Sequence, residues 1–239
     1  MKLTIIETGL PPAPLRDRFD DYPAMFRQMM SAVGDYTFET IPLVKGASLP
    51  DPSGLDAVMM TGSPAGVYDD EPWIAPLQDF IRGAAAADVP QVGICFGHQI
   101  LAEALGGKVV KSEKGWGVGR HTYEVLACPD FVTDGCPPVI SAAVSHQDQV
   151  VLRPPGAEVI AASEFTPYAG LYYPEAPAFS FQCHPEFDDT FSSALYDLRR
   201  DRLGEAMTGQ AISSLKQTGD HARLARWIGA FLTAHSRGR

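Results

Sequence analysis

The stretch "GICFGHQILAEALGG", residues 93–107, sets a cysteine between two glycines and then passes directly into helical spacing. Upstream, "QVGIC" is a short apolar run that reads as a buried strand. Downstream, residues 96–105 read as a helix that Gly106 and Gly107 would end. A strand running straight into a helix is the repeating unit of an α/β domain, and the flanking sequence repeats it. "KLTIIET", "YTFETIPLV" and "DAVMMTG" read as strands. Between them, "DDYPAMFRQMMSAVG" reads as a helix capped by Asp20 or Asp21, with Pro23 in its first turn and Phe26, Met29, Met30 and Val33 on one face. "WIAPLQDFIRGAAAAD" is helical, with Trp73, Ile74, Leu77, Phe80 and Ile81 in register. After residue 107 the pattern turns to strands ("GGKVVKS", "RHTYEVLA", "PVISAAVSH", "AEVIAASE", "GLYYPEAPAFSFQCH"). Helices then close the chain from about residue 190, the last carrying the stripe Leu224, Trp227, Ile228, Phe231 and Leu232.

The 239 residues form one expected domain, 1–239, with no repeat or linker. A net charge of −10 gives no electrostatic footprint for nucleic acid. No segment reaches the apolar length of a membrane span, and the N-terminal apolar run is too short for a signal sequence. Cys95, Cys128, Cys136 and Cys183 are sparse and irregularly spaced, so reduced thiols in a cytoplasmic protein are the expectation.

Gly93-Ile94-Cys95-Phe96-Gly97 fits a nucleophile elbow, a turn so tight that residues two positions either side must be small. A thiol there also sits at the positive end of a helix dipole, which suits a sulfur nucleophile. A free cysteine is, however, commonly a small buried hydrophobe, and the stretch alone leaves that reading open. A candidate base lies in "FQCHPEF", although a histidine beside a proline is, taken alone, more often a satisfied turn residue. Pro185 favours an extended chain, so His184 and Glu186 project from the same side, as a base and its orienting carboxylate require. Cys95, His98, Cys183 and His184 also contain zinc-ligand types, but the adjacent pair Cys183-His184 would point to opposite sides of the chain. No metal is expected.

Taken together, "GICFGHQ" and "QCHPE" resemble the class I, triad-type glutamine amidotransferase family. "TGSPAGVYDD" resembles that family's oxyanion strand, with Ser63 where a second glycine is usual, and "SHQDQV" resembles its Ser-His-x-Asp stretch. "GICFGHQILAEALGGKVVKSEKGWGVG" is similar to the stand-alone branch related to the glutaminase domain of GMP synthase, which includes γ-glutamyl peptidases. The resemblance implies a flavodoxin-like, doubly wound, mostly parallel sheet with an antiparallel extension. It also implies catalysis by Cys95, His184 and Glu186, and an oxyanion hole from the backbone amides of Ser63 and Phe96. Gly62, Gln99, Ser145, His146 and Trp116 would line the substrate site. The implied reaction cleaves a γ-glutamyl amide through a cysteine thioester and requires no cofactor. The alternatives are a glutaminase subunit delivering ammonia to a separate synthetase, or a catalytically silent binding module.

Overall fold

A computed structural model describes residues 1–236, so the last three residues of the expected domain lie outside the described residues. The strands are β1 (Lys2–Ile6), β2 (Thr37–Ile41), β3 (Ala57–Met60), β4 (Gln91–Ile94), β5 (Lys108–Lys111), β6 (Gly117–Val125), β7 (Val139–His146), β8 (Asp148–Leu152), β9 (Glu158–Ala162), β10 (Gly170–Tyr173) and β11 (Ala178–Phe181). The helices are α1 (Tyr22–Ser31), α2 (Ile74–Ala86), α3 (Phe96–Ala104), α4 (Asp189–Leu198), α5 (Arg200–Leu203), α6 (Glu205–Ser214) and α7 (His221–Ala234). Nine strands form one sheet in the order β2-β1-β3-β4-β11-β10-β9-β6-β7, while β5 and β8 pair separately. The first five strands in that order are mutually parallel; from β11 onward every pairing is antiparallel. This is the doubly wound sheet with its antiparallel extension.

Strand alternation explains why both faces of the parallel half are covered. Leu3, Ile5, Ala57 and Met59 face one core, closed by Phe26 and Met30 of α1 and Trp227 and Phe231 of α7. Ile6, Val58 and Met60 face the other core, closed by Leu77, Phe80 and Ile81 of α2 and Ile100 and Leu101 of α3. Strands buried on both sides must be apolar at nearly every position, which is how these short runs read. Each such aromatic contributes a few kcal/mol, so truncating Trp227 or Phe231 to alanine would cost about 3–5 kcal/mol. At the start of α1, Asp21 accepts a hydrogen bond from the Ala24 amide at 2.8 Å, which makes it the cap in preference to Asp20.

The thiol expectation needs correction. Cys128 and Cys136 are joined as a disulfide, and only Cys95 and Cys183 are free. The two partners lie in the loop between β6 and β7, whose ends are held by the Glu124↔Val139 pairing and by the Val125 amide on Pro138 O at 3.0 Å. That hairpin brings the two cysteines across from one another, which irregular spacing along the chain conceals. Among the described residues no helix is long and apolar enough to cross a membrane.

Candidate active site

Cys95 sits between β4 and α3 at φ 55° and ψ −103°. A side chain in this region costs about 1–3 kcal/mol and persists only where its surroundings hold it. They do so here. The Cys95 amide donates to Phe181 O at 2.9 Å, and its carbonyl accepts from the Gln99 amide at 3.0 Å. The two glycines are required by space: a Cβ on Gly93 would lie 2.3 Å from Gly97 O, and one on Gly97 would lie 2.4 Å from Met60 O. Helix, elbow and β3 thus approach at backbone contact.

His184 arrives from the neighbouring strand. β11 lies parallel beside β4, with Phe181 opposite Ile94, and the His184 amide then donates to Ala143 O of β7 at 2.9 Å. The chain there is extended, as Pro185 favours, and His184 Nδ1 and Glu186 Oε1 are 2.8 Å apart. With Nδ1 engaged by the carboxylate, the other ring nitrogen is left free for Cys95, which lines the same pocket. Burial alone would depress the imidazole's pKa, but the charges and hydrogen bonds of Glu186 and Cys95 outweigh it and raise the pKa to about 10. Phe187 stacks on the imidazole at 3.9 Å and 5°, and Tyr22 stacks on Phe187 at 5.9 Å. These rings shield the pair from water.

Cys95 opens into a pocket of about 280 Å³ that Gly62, Ser63, Ser145 and His184 also line. A Cβ on Gly62 would lie 3.2 Å from His184 Cε1 and 3.8 Å from Cys95 Cβ, so a side chain there would press on the imidazole. Ser63 keeps a negative φ and needs no glycine, and its Oγ accepts from the Ala65 amide at 3.1 Å. Phe96, next to Cys95, begins α3.

The remaining residues singled out from the sequence lie elsewhere. Gln99 is 3% exposed, and its amide donates to Asp148 O at 2.8 Å and Gln182 Oε1 at 3.0 Å. His146 is turned away too, with Nδ1 3.0 Å from Asp148 O, its ring against Phe165, and its pKa pushed down to about 3 by burial. Trp116 is outside the pocket but carries the guanidiniums of Arg199 and Arg202 at 5.4 and 4.7 Å from its ring centre. His98 is fully buried against Ser180 Oγ at 2.8 Å, with its pKa lowered to about 3 by burial. No group of three metal-ligating side chains occurs among the described residues.

Three polar pocket residues escaped sequence reading: Arg16, Tyr22 and Arg199. Tyr22 could have been found from the predicted start of α1. Arg199 carries no local signal, because it reaches the pocket only through the docking of α4. A larger cavity of about 970 Å³ adjoins the Cys95 pocket and shares Leu10, Arg16, Ser63 and Pro64 with it.

Residues 23–196 match the family model described as glutamine amidotransferase class-I. A Schizosaccharomyces pombe glutamine amidotransferase-like protein is 25% identical over 245 residues, covering 96% of this chain and 98% of that protein. The glutamine-hydrolysing GMP synthase of Aquifex aeolicus is 39% identical over 133 residues, covering 56% of this chain. The chain spans only 25% of that enzyme's length. A glutamine-hydrolysing GMP synthase subunit from Sulfolobus acidocaldarius is 30% identical over 152 residues, covering 64% of this chain and 78% of the Sulfolobus protein. In fold, a Methylobacillus flagellatus glutamine amidotransferase superposes with a TM-score of 0.79 at 20% identity, covering 99% of this chain and 95% of that one. With the elbow, the sheet order and a family match across most of its length, the chain belongs to the class I glutamine amidotransferase family.

Proposed function

We propose that the protein is a Cys-His-Glu amidohydrolase that cleaves γ-glutamyl amides. The observation that carries this reading is a cysteine held at φ 55° in one pocket with a histidine whose Nδ1 is engaged by a buried carboxylate. With the thiol proton passed to His184, Cys95 Sγ attacks the γ-carbonyl carbon, and the carbonyl electrons move to oxygen beside the backbone amides of Phe96 and Ser63. As the tetrahedral adduct collapses, His184 gives its proton to the departing nitrogen, leaving a γ-glutamyl thioester and a neutral imidazole. Water then adds to the thioester as His184 takes a proton from it, and glutamate leaves with the thiol restored. Glu186 holds the ring through Nδ1 and balances the imidazolium charge.

The adjoining cavity gives room for a leaving group larger than ammonia, which supports a γ-glutamyl compound as substrate. The similarity to the Sulfolobus GMP synthase subunit supports a second reading, in which glutamine is hydrolysed and the ammonia passes to a separate synthetase chain. Glutamate release from L-glutamine and from glutathione, with Cys95→Ala as control, separates the two. Glutathione turnover lost in the variant is expected for a hydrolase acting alone, whereas glutamine turnover alone favours the ammonia-supplying role. Failure of both substrates, with Cys95 reacting with iodoacetamide no faster than an ordinary thiol, would leave the silent module.

A further inference from the structure

The proposed reaction leaves unexplained the cation in the wall of the Cys95 pocket. Although the chain has a net charge of −10, this pocket is lined by Arg16 and Arg199 and by no carboxylate. Glu186 sits behind His184, 9% exposed, and faces the imidazole. Arg16 is exposed and gives its Nε to Pro11 O at 2.7 Å. Arg199 is half-buried, at the C-terminal end of α4. Its Nη1 donates to Ser145 Oγ, and its guanidinium lies over Trp116.

Arg120 is the useful contrast. It is buried as well, and it pairs with Asp189. Arg199 has no carboxylate partner among the described residues; the groups that face it are Tyr22, Cys95, Arg202 and Tyr196, and burial lowers its pKa. A partly desolvated cation without a counter-ion is unfavourable, and an anionic ligand would remove that cost. A guanidinium has five donors in a planar fork that matches a carboxylate, and only some are engaged here. The cation and the nucleophile share one pocket of about 280 Å³, enough for a group of amino-acid size.

We propose that Arg199 is the anchor for the α-carboxylate of the γ-glutamyl group whose γ-carbonyl meets Cys95, with Ser145 and Trp116 holding its guanidinium in place. This role rests on the hydrolase reading, but the anchor can be tested without turnover. In such a site primary amides that lack the α-carboxylate bind poorly. Selectivity then comes from charge at one end of the substrate, while the leaving-group end stays open.

The test alkylates Cys95 with iodoacetate and with iodoacetamide. Both form a carbon–sulfur bond and release iodide, and they differ in a carboxylate against a neutral amide. The ratio of the two rates cancels any change in the thiol itself. In Arg199→Met the iodoacetate-to-iodoacetamide ratio is expected to fall by about tenfold or more, the low end for a hydrogen bond to a charged group. In Arg199→Lys most of the ratio should return. In the unmodified protein, glutarate should protect Cys95 from iodoacetamide and the neutral pentanediamide should not, a comparison that holds even if the methionine variant does not fold. An unchanged ratio in a folded Arg199→Met protein, or equal protection by the two compounds, overturns the proposal. If the ratio falls but neither glutamine nor glutathione is hydrolysed, the hydrolase reading fails while the anion anchor stands.

Discussion

At Cys95 a strained backbone and two bare neighbours hold the proposed nucleophile. The glycines act by absence: Gly93→Ala or Gly97→Ala would press a methyl into backbone at under 2.5 Å, where no side-chain rotation gives relief. We expect each to destabilise the fold by about 1–3 kcal/mol, measured by urea unfolding, and to slow alkylation of Cys95. His184 sets the pH behaviour. Its pKa is raised to about 10 in the fold against 6.5 without the fold's interactions. The protonated pair with Glu186 therefore stabilises fully below pH 6.5, and that contribution is lost as pH rises through about 10. Glu186→Gln removes the charge that overcomes burial, so the imidazole should be neutral near pH 7. The expected outcome is slower iodoacetamide alkylation of Cys95 at neutral pH, and a urea midpoint that drops less than the wild type's between neutral and strongly alkaline pH. Cys95, His184 and Glu186 were legible in the chain because small and cyclic neighbours (Gly93, Gly97, Pro185) dictate local geometry. Arg199 was not, since it reaches the pocket only because α4 docks there, carrying Leu195 into the same wall. Gln99 and His146 illustrate the converse: a motif located them near the site, but hydrogen bonds to Asp148 turn their side chains elsewhere.

Among the elements, the inner parallel strands β1, β3 and β4 were readable because burial on both faces leaves almost no polar position to confuse the pattern, while edge strand β2 alternates polar and apolar residues. β8 was harder. The chain reverses at Gln147 between β7 and β8 with neither glycine nor proline to mark the turn, and β8 then leaves the main sheet to pair with β5 through Val110↔Gln149. That choice depends on where β5 lies, which local sequence does not contain. α4 is the element on which the proposed anchor depends. Its cap is Asp188, whose Oδ1 accepts from the Phe191 amide at 2.6 Å, and its far end carries Arg199. Asp188→Ala should cost about 1 kcal/mol by urea unfolding. If the helix positions Arg199, the same variant should also lower the protection of Cys95 by glutarate.

Across the whole molecule, the disulfide is the feature that the sequence's sparse cysteines argued against. A thiol titration of the denatured, unreduced protein should find two free thiols, Cys95 and Cys183, rising to four after reduction. The bond closes a surface loop remote from the elbow, so reduction should leave the alkylation rate of Cys95 unchanged. The sheet itself has a further consequence. β4 and β11 are hydrogen-bonded neighbours, yet β6, β7, β9 and β10 of the same sheet lie between them in the chain, and the strand that delivers His184 is the last of all to be made. A nascent or refolding chain can therefore complete β1 to β4 and still hold an unactivated thiol, because His184, the proposed base, is not yet in place. Long-range pairing of this kind is slow to form. The reactivity of Cys95 is in effect a clock for the closing of the sheet, and a chain interrupted before β11 would be chemically quiet.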